Sequence, residues 1–315
     1  MWCGASGKSV DSMSASTSGA WPLRPWHWPG IGLQWVFHHA LLRALRAPQL
    51  PHDPPLHERP LQGGVLSAYR LRTSQGKQLA VWLVRPEAAD SRPSPTVLVM
   101  HGWGANAAMM WPVVQPLLDT GHVVALLDAR CHGESDGDEF TSLPRFAEDI
   151  ATTLQWLLKQ PGADAERLAL LGHSVGAGAC LLHAAEGQPH VAAVVSLSAF
   201  AHPAEVMRRW LTEHHLPQRV VGQAILAHVQ QVIGARFDDI APLHTIVQVS
   251  APVLLVHGRH DEAVPFEDAQ RLCATAQAAG VSAQLVAVDG AHDLRAALAP
   301  HQHTITDFLQ ATWRR

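Results

Sequence analysis

The sequence predicts an α/β fold, a mostly parallel central sheet with helices on both faces. Three observations predict it. Short apolar runs without polar alternation recur at 97–100, 123–128, 168–171, 191–197, 253–256 and 283–288. Longer segments with helical apolar spacing separate them, which is the pattern of strands buried on both faces by crossover helices. At 315 residues, 47% hydrophobic and 16% charged, the chain can also bury one large core.

Taken in order, residues 1–20 are rich in Ser, Gly and Ala and lack the basic start and apolar run of a secretory signal, so disorder is expected there. Gly7-Lys8-Ser9 is like the end of a phosphate-binding loop, but Trp2 stands where that loop needs its first glycine. No phosphate site is expected. From Ile31 to Leu45, Leu33, Val36, Phe37, Ala40, Leu41, Ala44 and Leu45 recur at helical spacing, interrupted by Gln34, His38 and Arg43. Trp26, Trp28 and Trp35 cluster around this helix. Two readings stay open for it: a helix packed on the domain, or a flap or peripheral membrane contact. No run of 18 apolar residues suggests a spanning helix. The Pro-rich stretch 48–60 reads as an extended linker, so 1–60 is expected to be a leader and 61–315 the main domain.

Two strands, 65–72 and 78–85, are expected around the turn Ser74-Gln75-Gly76-Lys77. Helices are expected at 107–118, 143–159, 176–185, 267–279 and 302–313, between the buried strands. The rhythm breaks between Ser198 and Pro252, where 205–214 and 220–234 have helical spacing punctuated by Leu216-Pro217. A compact domain seldom carries so long a structureless loop, so a helical cap at about 201–248 is expected. At the strand C-terminal edge it would lie over a ligand site.

A net charge of −4 gives no reason to expect nucleic-acid binding. The 21 histidines show neither a His-Glu-x-x-His helix nor paired Cys/His spacing, so neither metal nor cofactor is expected. Cys3, Cys131, Cys180 and Cys273 are far apart, which fits a reducing, cytoplasmic compartment.

The chemistry is carried by Gly172-His173-Ser174-Val175-Gly176, which follows an apolar run and precedes a helical pattern. A serine on so sharp a turn is lifted clear of the sheet at a helix N-terminus. Side chains at Gly172 and Gly176 would collide with the neighbouring strand and helix. The Val175 N–H would then face a developing oxyanion, with Trp103 N–H in His101-Gly102-Trp103-Gly104 as the second donor. A serine hydroxyl needs a base, and the base an orienting carboxylate. The segments after 253–256 and 283–288 offer both: Asp261 as the orienting acid and His292 as the base. His257 and His260 compete for the second role, and Glu262, Asp289 and Asp293 for the first.

In this order, Ser174, Asp261, His292, the chain resembles the α/β-hydrolases, specifically the serine aminopeptidase-like or monoacylglycerol-lipase-like branch. Asp128-Ala129-Arg130-Cys131-His132-Gly133-Glu134-Ser135 also resembles a loop of that family, with Cys131 where a glycine is usual. Asp128 and Arg130 are expected to pair with each other near the strand ends. The resemblance implies an α/β-hydrolase fold and a metal-independent serine hydrolase with an acyl-enzyme intermediate. It does not fix the substrate; the expected partner is a small-molecule ester or related acyl compound. The same triad serves aminopeptidases, thioesterases and acyltransferases, and a non-catalytic binding protein is the remaining alternative. A peptidase would need cap acids for a substrate ammonium, and Glu205 and Glu213 are the candidates. Met207, Trp210, Leu211, Ile225 and Leu226 in the cap suggest an apolar acyl pocket or a helix core.

Overall fold

The computed structural model describes residues 31–44, 46–87, 93–295 and 301–314. The stretch 1–20, with its expected disorder, and Trp26, Trp28 and Leu45 lie outside these. The chain forms two compact units, 1–38 and 39–315. Helix α1 (Ile31–Ala44) exposes Trp35 and Val36. No described helix is long and apolar enough to cross a membrane.

The second unit holds an eight-stranded sheet in the order β1-β2-β4-β3-β5-β6-β7-β8. The strands are β1 (Gly64–Arg72), β2 (Gln78–Pro86), β3 (Ser94–Met100), β4 (Val123–Leu127), β5 (Ala163–His173), β6 (Ala193–Leu197), β7 (Val253–Gly258) and β8 (Ala283–Val288). β2 runs antiparallel to β1 and β4, and the other pairs are parallel. β3 to β8 overlap the six apolar runs read from the sequence, and β1 and β2 the two strands expected around the turn at 74–77.

Because strand side chains alternate, each strand feeds both faces. Leu98 and Met100 join one core with α3 (Leu143–Leu157), α4 (Val175–Glu186) and α9 (Phe266–Ala278). Val97 and Val99 join the other, with α2 (Val114–Asp119) and α10 (Gln302–Trp313). The segment expected to be one helix over 107–118 is a 3-10 stretch, Ala107–Val113, leading into α2. Pro112 supplies no N–H there, which disfavours a continuous α-helix. Ser142 caps α3 by accepting the Arg145 N–H, and Gly187 ends α4 at φ 72°.

Between β6 and β7 the cap segment forms α5 (Pro203–Glu213), α6 (Gln223–Ile233), α7 (Phe237–Ile240) and α8 (Pro242–Thr245). A π-helical turn, Gln218–Gly222, precedes α6. Leu211, Leu226 and Val229 are buried, and Met207 and Ile225 pack against the same core. Trp210 is exposed and stacks on His214. These apolar residues hold the helices down.

The Pro-rich stretch is packed down rather than free. Ala47, His52 and Leu56 are buried. Asn106 Nδ2 donates to the carbonyls of Leu50 and Pro51 at 3.1 and 3.0 Å. Gln49 Nε2 donates to those of Gly133 and Ser135 at 3.0 and 2.8 Å. His52 Nε2 lies 2.9 Å from Asp128 Oδ2. Residues 47–62 thus strap the loops that leave β3 and β4.

One expectation from the β4 loop needs correction: Asp128 and Arg130 do not pair with each other. Asp128 Oδ1 accepts the Ala107 N–H at 2.7 Å, and Oδ2 accepts the Glu134 N–H at 2.7 Å besides facing His52. Arg130 turns to buried Asp149 on α3, at 2.6 Å from Nη2 to Oδ1. A short aspartate can bind backbone N–H groups of its own turn, whereas the longer guanidinium reaches the helix.

Candidate active site

Register brings the functional loops to one edge. Met100 pairs with Gly172, His173 with Leu197, and Gly258 with Val288. The segments that follow β3, β5, β7 and β8 therefore start side by side.

Ser174 caps α4 at φ 55° and ψ −118°, in the left-handed half of the map that a non-glycine residue rarely adopts. Its neighbours enforce this. A Cβ on Gly172 would lie 2.4 Å from the Gly176 carbonyl oxygen, and one on Gly176 would lie 2.2 Å from that of His101. Its own N–H is held by the Leu197 carbonyl at 2.8 Å. The first turn of a helix leaves its N–H groups without helical acceptors, and Val175 is the first residue of α4.

His292 Nε2 lies 3.1 Å from Ser174 Oγ, and its Nδ1 lies 2.8 Å from Asp261 Oδ2. Asp261 Oδ1 accepts the N–H groups of Ala263 and Val264 at 3.0 and 2.7 Å. Burial alone would raise the carboxyl pKa, but donors from His257, His292 and the Val264 N–H outweigh it and hold the group ionised well below the usual range. An ionised carboxylate only accepts, so the His292 proton sits on Nδ1 and the Nε2 lone pair faces the serine.

The competing residues fall elsewhere. His260 pairs with Asp289 at 3.0 Å, both largely exposed. Asp293 is engaged by Arg295. Glu262 is exposed. His257 is buried and donates from Nε2 to the Val264 carbonyl at 2.9 Å.

The loop after β3 sits against Ser174: a Cβ on Gly102 would come within 3.2 Å of Ser174 Cβ. Trp103 follows, and Gly104, at φ 69°, donates its N–H to His132 Nε2 at 3.1 Å. His132 Nδ1–H is held by the Arg130 carbonyl at 3.0 Å. Burial, helped by nearby His101, pushes the His132 pKa down to about 3, so the ring stays neutral and keeps an acceptor for Gly104. His101 is arranged in the same way, donating from Nδ1 to the Gly102 carbonyl at 2.7 Å and accepting the Ala129 N–H at 3.0 Å on Nε2.

Sequence reasoning missed these braces, and it missed His173. That ring contacts the loop carrying His292, with Nε2 2.9 Å from the His292 carbonyl oxygen. Burial lowers its pKa to about 4. The one available signal was position: His173 lies inside the turn motif and His132 inside the resembling loop.

A cavity of about 190 Å³ opens beside His292 and His173. Its apolar wall comes from Ala105, Met109, Met110, Val113, Leu197 and Leu294, none of them in the cap. In the cap, Glu205 is engaged by Arg271 at 2.8 and 3.0 Å. Among the described residues, His202, Asp238 and His244 bring potential metal-ligating atoms within 4.8 Å of one another. His202 Nδ1 accepts the Ala204 N–H, which leaves its proton on Nε2, facing Asp238 at 3.0 Å. That arrangement is a hydrogen bond in place of a ligand pair.

Residues 75–231 match the X-Pro dipeptidyl-peptidase (S15) family. The uncharacterized protein Rv2307c of Mycobacterium tuberculosis is 30% identical over 220 residues, covering 69% of this chain and 70% of that protein. The uncharacterized protein YqkD of Bacillus subtilis is 26% identical over 249 residues, 77% of this chain and 79% of its own length. Among solved structures, the Pyrococcus furiosus esterase Pf2001 superposes with TM-score 0.67 at 20% identity, covering 85% of this chain and 97% of its own. Est1E from Butyrivibrio proteoclasticus, solved with ferulic acid bound, gives 0.62 at 20%, covering 79% and 100%. The acylaminoacyl peptidase of Pyrococcus horikoshii gives 0.62 at 18%, covering 81% of this chain and 42% of that one.

Proposed function

The chain has the α/β-hydrolase fold and belongs to one family with the Mycobacterium tuberculosis protein, and on that premise we propose that it hydrolyses a carboxylic ester through an acyl-enzyme on Ser174. The observation that carries this reading is the continuous path Asp261–His292–Ser174, at 2.8 and 3.1 Å.

In the proposed reaction, Ser174 Oγ attacks the ester carbonyl while its proton passes to His292 Nε2. The Trp103 and Val175 N–H groups receive the negative oxygen of the tetrahedral intermediate. Collapse breaks the bond to the leaving oxygen, which takes the proton back from His292 and departs as the alcohol. A water then gives a proton to His292 and attacks the acyl carbon. The acid leaves as Ser174 recovers its hydrogen. Asp261 stays ionised throughout and stabilises the imidazolium.

A peptidase reading draws on the S15 family match. The capture of Glu205 by Arg271 counts against it, because that carboxylate is already neutralised. The deciding test is a fluorophosphonate probe with wild type and Ser174→Ala, beside a panel of p-nitrophenyl esters, thioesters and peptide amides. Labelling of wild type only, with esters turned over fastest, is the expected result. Equal labelling or turnover in Ser174→Ala would overturn the reading.

A further inference from the structure

We infer that the cavity beside His292 receives the leaving alcohol of the substrate, and that Met109 sets the size of the alcohol accepted. The inference rests on the proposed ester chemistry and adds the identity of the selecting wall.

Stereochemistry supplies the argument. In the tetrahedral intermediate the carbon bears Oγ, the oxyanion, the acyl substituent and the leaving oxygen. The leaving oxygen must take its proton from His292 Nε2, so the group attached to it lies on the imidazole side. The cavity is on that side: His292, His173 and Leu294 border it, whereas Ser174 and Val175 do not. Its walls are apolar apart from the two imidazoles and the Asp293–Arg295 pair, whose charges satisfy each other at 2.8 Å. Nothing there matches a charged or sugar-like leaving group. At about 190 Å³ it is smaller than the pockets that enclose whole drug-sized ligands, so it suits one part of a substrate. The occupant it fits is a short alkyl or single-ring alcohol.

Met109 is the adjustable part of the wall. It is half-buried, whereas Met110 and Val113 are buried in the core. A flexible thioether adapts to different shapes, and a change there disturbs little packing. The cap contributes no residue to this cavity, so its exposed Trp210 serves as a control.

The test separates the two halves of the ester. Two substrate series are assayed by pH-stat, acetates of alcohols of increasing length and methyl esters of acids of increasing length. Wild type, Met109→Ala, Met109→Trp and Trp210→Ala are compared. Met109→Ala is expected to extend the alcohol series and Met109→Trp to shorten it. The expected change in relative kcat/KM is on the order of tenfold per methylene at the limit. The acyl series and the deacylation rate of the common acetyl-enzyme should stay within twofold or so of wild type. A shift in the acyl series instead would overturn the inference while leaving ester hydrolysis intact. So would a Trp210→Ala effect on the alcohol series larger than that of Met109. Absence of ester turnover and of fluorophosphonate labelling in wild type would overturn the proposed function, and the inference with it.

Discussion

His257 Nε2 lies 3.3 Å from Asp261 Oδ2, the same oxygen that faces His292 Nδ1 at 2.8 Å. One carboxylate oxygen thus serves two imidazoles, one buried and one at the site. Asp261 is depressed below its unfolded value, so its contribution to stability is complete above a pH of about 4 and is lost only as pH falls further. His257→Phe removes one donor and lets the carboxyl pKa rise. The expected outcome is a loss of urea resistance that is full above a pH of about 4 and shrinks as pH falls below it. Superimposable profiles for variant and wild type would refute the coupling. Asp261→Asn is expected to lower kcat by roughly 10³–10⁴-fold, since it upsets the imidazole tautomer.

Gly176→Ala tests the turn itself. Its Cβ would meet the His101 carbonyl oxygen at 2.2 Å, backbone against backbone, with no flexible group to yield. A loss of about 2–3 kcal/mol in urea unfolding is expected, together with near-total loss of fluorophosphonate labelling. Gly187→Ala, at a helix end with open space around it, should keep the labelling.

The brace on the loop after β3 predicts a kinetic signature. His132→Phe leaves the Gly104 N–H without its acceptor and loosens the segment that carries Trp103. We expect kcat to fall by about tenfold to a hundredfold with KM changed little, because a donor aimed at the oxyanion acts in the transition state. A KM effect without a kcat effect would place the loop in ground-state binding instead.

Buried imidazoles make the fold acid-sensitive. Burial lowers His122 and His173 to about 4 and His132 to about 3, and lowers His101 and His183 as well. Below a pH of about 6.5 the unfolded chain takes up protons that the native rings refuse, so stability falls as pH falls. Each ring contributes on the order of 1 kcal/mol per pH unit in that window. The urea midpoint should decline from pH 6.5 to pH 5, before carboxylates titrate. A midpoint independent of pH over that range would show that these rings are protonated in the native state.

The strap predicts where the chain can be cut. A chain starting at Ala47 keeps Gln49, His52 and the Leu50 and Pro51 carbonyls, and should label at Ser174 like the full chain. A chain starting at Leu61 strands Asn106 and Asp128 without these partners, at a cost of a few kcal/mol. It should unfold earlier in urea and label weakly. Equal stability of the two truncations would contradict the strap.

The strands were legible because runs such as 97–100 and 253–256 are buried on both faces, which suppresses alternation, and the glycine spacing around Ser174 is a steric signature. His292 and Asp261 were legible as residues just past strand ends, although only three dimensions show that His292, and neither His257 nor His260, contacts Ser174. His257 is buried as part of the fully buried β7 and His260 is exposed just past its end, a boundary that periodicity places only within a few residues. The strap escaped for another reason. His52 and Asn106 are polar, and their burial depends on partners distant in sequence, the Asp128 carboxylate for one and the Leu50 and Pro51 carbonyls for the other. The choice between pocket and helix core stayed open for the cap, because apolar residues in a short helix look alike whether they line a pocket or hold the helix down; burial of Leu226 and Val229 shows them in the core.

Distance along the chain also sets a timetable. His52 and Asp128 are 76 residues apart, and Ser174 and His292 are 118 apart. A ribosome adding about 5–20 residues per second makes Asp128 roughly 4–15 s after His52. The newborn segment around His52 therefore waits unclasped until the fourth strand is translated. Ser174 is made well before His292, so a nascent chain cannot form that contact until the segment after the eighth strand is translated.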